Sequence, residues 1–169
     1  MKKCITISGG FDSACLPFLV DNLNEWDLVF FDYNQIYKQS ELQKAQKYAE
    51  KLNKKLNIIR IEDMHHDQER RNFLFLFKLK TIGYDIVMMG CRNILPTFDR
   101  YKDSNLINLK FMAYLLHIQI KLPIVGWRKG RVIRFLRKRT DLDFYNCYKN
   151  NQDTSNCDCV NCIELKKLK

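Results

Sequence analysis

The chain has 169 residues, 46% hydrophobic and 28% charged, and its 29 Lys and Arg against 19 Asp and Glu give a formal net charge of +10. That length builds one domain with a full core, the composition is that of a globular chain, and no run of about 18 uncharged apolar residues exists to form a membrane-spanning helix. The apolar stretch after Met1-Lys2-Lys3 is too short for a signal peptide, so a cytoplasmic location is expected. The charge suits a small anionic substrate as well as nucleic acid, and so allows contact with nucleic acid without requiring it.

In chain order, residues 4–7 read as a strand. Ser8-Gly9-Gly10-Phe11-Asp12-Ser13 follows directly, and an apolar helical pattern covers 13–24. Strand, two glycines with small polar residues, then helix is the layout of a phosphate loop: glycine reaches backbone angles closed to other residues, and loop N–H groups backed by a helix dipole attract an anion. Ser8 and Ser13 add hydroxyl donors. Asp12 repels phosphate, so a role in the loop or on a metal suits it better. Neither the Walker pattern nor G-x-G-x-x-G is present.

The continuous apolar run 28–32 reads as a buried strand, 40–51 as a helix capped by Ser40, 56–61 as a strand and 64–69 as a polar loop. A helix is expected over 72–82, ended by Gly83, then a strand over 86–90 ending in Gly90. Residues 92–104 read as a loop over the active face, 105–118 as a helix, 120–125 as a strand and 129–138 as a helix. Strands alternating with helices predict an α/β three-layer sandwich around a parallel sheet. Ligands bind such sheets at the carboxyl ends of the strands, so 8–13, 32–35 and 90–93 are expected along one edge. Residues 1–140 form this domain, and 141–169 a small tail packed on it.

The tail carries Cys147, Cys157, Cys159 and Cys162, spaced C-x9-C-x-C-x2-C. Four thiolates close a tetrahedral shell round Zn²⁺, which leaves no open position and makes the metal structural; disulfides or free thiols are the alternative. Cys4, Cys15 and Cys91 read as small core residues. Three further features receive the plainer reading: Arg128, Lys129, Arg131, Arg134, Arg137, Lys138 and Arg139 as a solvated basic face, His65-His66-Asp67 as a polar loop, and Phe73, Phe75 and Phe77 as core.

Ser-Gly-Gly-x-Asp-Ser after a first strand resembles the PP-loop of the ATP pyrophosphatases, a Rossmann-like fold of the adenine nucleotide α-hydrolase type. With the cysteine tail, the chain is similar to the 7-cyano-7-deazaguanine synthases (QueC family). The matching segments are Tyr33-Asn34-Gln35, Arg71-Asn72-Phe73-Leu74-Phe75-Leu76, Asp85-Ile86-Val87-Met88-Met89-Gly90, Tyr101-Lys102-Asp103, Leu122-Pro123-Ile124-Val125 with Lys129 after it, and Asn146-Cys147-Tyr148 before the last three cysteines. Departures fall on the substrate side: Ile36-Tyr37 replaces Arg-His, and the segment after Gly90 lacks the family's acidic and glycine-rich pattern. The zinc segment has C-x-C for C-x2-C.

The resemblance implies an ATP-dependent ligase that adenylates the carboxylate of 7-carboxy-7-deazaguanine, displaces AMP with ammonia, and by a second activation leaves the nitrile. It implies that Ser8, Gly9, Gly10, Phe11, Asp12, Ser13, Arg71, Asn72 and Gly90 border ATP, with Asp12 on the loop or on Mg²⁺. Asp12, Ser13 and Lys129 carry the chemistry, Tyr33, Gln35, Arg92 and Asp103 face the deazapurine substrate, and the four tail cysteines hold zinc. The family forms dimers, which leaves a homodimer open. The competing readings are a PP-loop RNA-modifying enzyme and a non-catalytic nucleotide-binding protein on the same fold.

Overall fold

The computed structural model describes residues 1–35, 37–62, 71–92 and 106–142. Among these, five strands, β1 (Lys3–Thr6), β2 (Asp27–Asp32), β3 (Leu56–Arg60), β4 (Ile86–Met88) and β5 (Gln119–Lys121), form one sheet in the order β3-β2-β1-β4-β5. Every pairing is parallel. The helices are α1 (Phe11–Ala14), α2 (Lys38–Lys51), α3 (Arg71–Thr81), α4 (Leu106–Leu115) and α5 (Lys129–Arg137).

Side chains alternate across a strand, and here both faces are covered. Ile5, Ile7, Leu28, Phe30, Ile86 and Met88 pack with Ala14 of α1, Ala45 and Tyr48 of α2, and Val132 and Leu136 of α5. Their neighbours Cys4, Val29, Phe31, Val87 and Met89 turn the other way, onto Phe75, Leu76 and Leu79 of α3 and Leu109 and Ala113 of α4. The expected three layers follow from this alternation. Cys4, Cys15 and Cys91 are buried in it as expected, and burial pushes the Cys15 thiol up to about 12.

The strand order reverses at β1: β2 and β3 lie to one side, β4 and β5 to the other. A crevice opens at such a switch point, above the carboxyl ends of the strands.

Several element bounds differ from the sequence expectation. The helix expected over 13–24 is one turn, α1, followed by 3₁₀ turns at Leu16–Leu19 and Leu23–Glu25. Pro17 has no N–H to give to residue 13, and its ring crowds that carbonyl, so the α-helix stops. α2 starts at Lys38 with Tyr37 at the cap, which puts Ser40 inside the first turn. β5 covers Gln119–Lys121, because Pro123 and the turn to Gly126, at φ +77°, end it before 125. Gly83, at φ +91°, closes α3 as expected. The Tyr84 N–H donates to the Leu79 carbonyl at 3.0 Å and the Gly83 N–H to the Lys80 carbonyl at 2.9 Å, the paired bonds of a Schellman end. Phe73, Phe75 and Phe77 do not act alike: Phe75 is buried, whereas Phe77 is 56% exposed. Residues two apart on a helix face nearly opposite ways.

Leu76 is fully buried between α3 and the sheet. Leu76→Ala is expected to lower unfolding free energy by about 2–5 kcal/mol, read as a lower urea midpoint at unchanged slope.

Candidate active site

The loop Ser8–Ser13 leaves β1 at the switch point and is closed by Ser13. The Ser13 hydroxyl accepts from the Ser8 N–H at 3.0 Å, lies 3.0 Å from the Ser8 hydroxyl and donates to the Gly10 carbonyl at 3.1 Å. Gly9 sits at φ +74°, and a Cβ there would lie 2.5 Å from the Glu41 carbonyl oxygen of α2. Gly90, after β4, approaches from the other side: its Cβ would stand 3.0 Å from both the Asp12 carbonyl carbon and the Ser13 nitrogen. Two glycines thus let α2 and the end of β4 close on the loop backbone. The expected helix dipole behind the loop is that of a single turn, since few aligned peptides sum into it. Attraction for an anion therefore rests on the loop N–H groups, the two hydroxyls and nearby cations.

A cavity of about 230 Å³ opens there, bordered by Ser8, Gly10, Phe11, Asp12 and Ser13 of the loop, Tyr33 and Gln35 after β2, Arg71 and Asn72 of α3, Gly90 and Arg92 after β4, and Lys129 of α5. Sequence-expected residues from five separate stretches therefore meet at the carboxyl edge of the sheet. Its floor is apolar, with Phe31 and Phe75 stacked at 4.0 Å between ring centroids and 3° between planes. Lys129 is 8% exposed at the first residue of α5. Asp103, Cys147, Cys157, Cys159 and Cys162 lie outside the described residues, as do His65, His66 and Asp67.

The geometry adds relations that the sequence does not reveal. Arg92 Nε donates to Asp12 Oδ2 at 2.8 Å, joining residues 80 apart in the chain. Arg71 Nη1 donates to the Tyr33 hydroxyl at 3.1 Å. Gln35 closes the turn after β2: its Oε1 accepts from the Tyr33 N–H at 3.0 Å, and its Nε2 donates to the Phe31 carbonyl at 3.1 Å and to Glu41 Oε2 at 3.2 Å. Glu41 borders the cavity as well, and sequence reasoning missed it. Read as part of a polar helix face, its one signal is its place in the first turn after the Tyr33-Asn34-Gln35 match. Burial raises the Glu41 carboxyl above its ordinary value, opposed by the Gln35 hydrogen bond and the Arg71 charge. Asp32 is committed elsewhere: it is buried and ion-paired to Lys38 at 2.6 Å, with Arg60 at 3.7 Å.

A parallel α/β sheet with a glycine-lined loop at its switch point is the layout of a PP-loop-type fold. A family model described as "Queuosine biosynthesis protein QueC" matches residues 2–73. The chain is 22% identical to the 7-cyano-7-deazaguanine synthase 1 of Sulfurisphaera tokodaii over 188 aligned positions, covering 99% of this chain and 92% of that protein. The chain is thus similar to QueC proteins over residues 2–73 and, at low identity, to a 7-cyano-7-deazaguanine synthase over nearly its whole length. The crystal structure of a predicted subunit of tRNA methyltransferase from Methanocaldococcus jannaschii shares the fold, with TM-score 0.55 and 16% identity over 88% of this chain and 83% of that one.

Gly9 and Gly83 both hold positive φ, but nothing lies within 4 Å of a Cβ at Gly83. Gly83→Ala is expected to lose about 1–2 kcal/mol of stability from backbone strain alone. Gly9→Ala is expected to lose clearly more in the same denaturation assay, because a carbonyl must also move. Glu41 gives a pH test. Its folded pKa lies above the ordinary 4.5, so the folded state binds more protons than the unfolded state between the two values, and stability falls as pH rises through the folded pKa. Glu41→Gln keeps an acceptor for Gln35 and removes that loss. Its Tm is expected to exceed wild type at pH 7, with the gap closing below about pH 4.5.

Proposed function

We propose that this protein is an ATP-dependent C–N ligase acting on 7-carboxy-7-deazaguanine, with ammonia as nitrogen donor and 7-cyano-7-deazaguanine as product. The observation that carries the reading is the convergence of the Ser8–Ser13 loop, Arg92 and Lys129 on one cavity at the switch point, in a QueC-like chain. A carboxylate is a poor electrophile, and ATP supplies an AMP leaving group for its oxygen.

The residues present fit a triphosphate: loop N–H groups, two hydroxyls and cations border one concave edge. Ser8, Gly9, Gly10 and Ser13 hold the pyrophosphate portion. Arg92 and Lys129 neutralise charge that grows on phosphate oxygens as pyrophosphate leaves. Asp12 serves the loop and would supply a carboxylate to a Mg²⁺ held by the phosphates; among the described residues no cluster of three His, Cys, Asp or Glu gathers. Arg71 and Asn72 border the nucleotide. Tyr33, Gln35 and Asp103 belong to the substrate side, where holding the carboxylate beside the α-phosphate converts an encounter into a positioned reaction. Cys147, Cys157, Cys159 and Cys162 form a structural zinc site, a reading that rests on their spacing; metal analysis is expected to find one zinc per chain, lost in Cys159→Ser.

The deciding assay combines pyrophosphate release with mass spectrometry of the product, using 7-carboxy-7-deazaguanine, ammonia and ATP on zinc-replete protein. Wild type is expected to make the nitrile. Arg92→Met is expected to slow turnover by about 100-fold or more, the scale of losing one charge-stabilising group, and Asp12→Ala to slow it as well by freeing Arg92 from the loop. Failure of wild type to make nitrile sinks the acceptor assignment.

A further inference from the structure

α5 divides its residues sharply. Lys129, Val132, Ile133 and Leu136 are buried, while Arg128, Arg131, Arg134, Arg137, Lys138 and Arg139 are exposed. At about 100° per residue, the buried set spans one side of the helix and the cations most of the other, with Gly130 and Phe135 between them. No Asp or Glu occurs from Gly126 to Thr140. The next acid, Asp141, is paired with Lys51. Among the described residues no carboxylate forms an ion pair with these six cations. A face that only needed solubility would mix both signs; this one concentrates a single sign.

Two of the guanidinium groups also lie over aromatic rings. Arg131 Cζ lies 4.1 Å from the Trp127 ring centroid and Arg139 Cζ 3.7 Å from that of Phe135. The two rings meet edge-on at 5.3 Å. These contacts, with the Arg139 Nη1 bond to the Phe135 carbonyl at 3.1 Å, restrict both long side chains before any ligand arrives while both residues remain exposed. Guanidinium planes accept unpaired bases, and arginine is the cation suited to phosphate oxygens.

From these features we propose that the exposed face of α5 binds single-stranded nucleic acid, phosphates on the arginine row and bases on the stacked guanidinium groups of Arg131 and Arg139. Steps of three residues space Arg128, Arg131, Arg134 and Arg137 about 4.5 Å apart along the axis, a charge density suited to a polyanion. An anionic membrane fits less well. A helix lying in a lipid interface needs its apolar face free, and Val132, Ile133 and Leu136 are no more than 2% exposed in the core.

The test is fluorescence anisotropy of a labelled single-stranded RNA oligonucleotide with the full chain across a salt series. Wild type is expected to bind, with log affinity falling linearly against log salt by about 0.7 per phosphate neutralised. The triple variant Arg134→Gln, Arg137→Gln, Lys138→Gln is expected to lose at least tenfold in affinity and flatten the slope by about 2. The control Lys47→Gln, Lys55→Gln, Lys78→Gln removes the same charge from other faces and is expected to keep most of the affinity. Losing as much in the control would reduce the effect to net charge and overturn the assignment. Absence of wild-type binding at low salt would do the same, as would preference for anionic vesicles or for duplex DNA over the single strand. Should the triple variant fail to fold, phenylglyoxal footprinting of wild type replaces it. RNA is expected to protect the α5 arginines, and unchanged labelling counts against the proposal.

Discussion

Everything at the functional edge depends on a close backbone approach at the sheet's switch point. The loop after β1 is pinned between the first turn of α2 at Gly9 and the end of β4 at Gly90, with separations that leave no room for a methyl group at either glycine without movement. The reversal of strand order at β1 creates this confinement, because β2 and β4 must both sit beside one strand. Helix propensity contributes little: α1 is a single turn. The loop is held by its neighbours and by the Ser13 hydroxyl, which ties Ser8 to the Gly10 carbonyl.

Around that fixed loop each acid of the cavity stands near an arginine. Asp12 is joined to Arg92, and Glu41 feels Arg71, which itself donates to Tyr33. Lys129 adds a buried cation from α5. The Asp12–Arg92 contact ties the loop to the stretch after β4, so an anion that draws Arg92 toward itself also alters the hold on Asp12. The stacked Phe31 and Phe75 form a flat apolar floor below. Polar groups converging over an apolar base is the layout expected where a planar, partly charged ligand must be oriented as well as bound.

The central strands were legible because β1, β2 and β4 are buried on both faces and read as continuous apolar runs. The loop was legible because glycines and small polar residues between a strand and a helix have few other uses. The helix expected over 13–24 failed for a local reason, Pro17, which an apolar count does not weigh. The Arg92–Asp12 pair failed for a global one: parallel strands β1 and β4 are adjacent in space but 80 residues separate the two partners, and no local pattern encodes that. Glu41 was hidden because the sequence shows only an acid near the start of a polar helix; that this turn packs on the loop at Gly9 and borders the cavity is set by tertiary contact.

The same split of local and global signals governs α5. Its sequence shows a basic amphipathic helix, a pattern shared by solvated faces, membrane-surface helices and polyanion binders. Composition cannot choose among them; packing can. Burial of Val132, Ile133 and Leu136 removes the membrane option. Buried Lys129 shows that one cation of the cluster belongs to the cavity rather than to the outer face. The remaining cations share a surface without acids, two of them fixed on aromatic rings. One short helix thus divides its cations, with its first residue buried at the loop's cavity and the rest exposed. It can do so because its buried side is narrow enough to leave most of the opposite side to arginine and lysine, with Phe135 as the ring under Arg139.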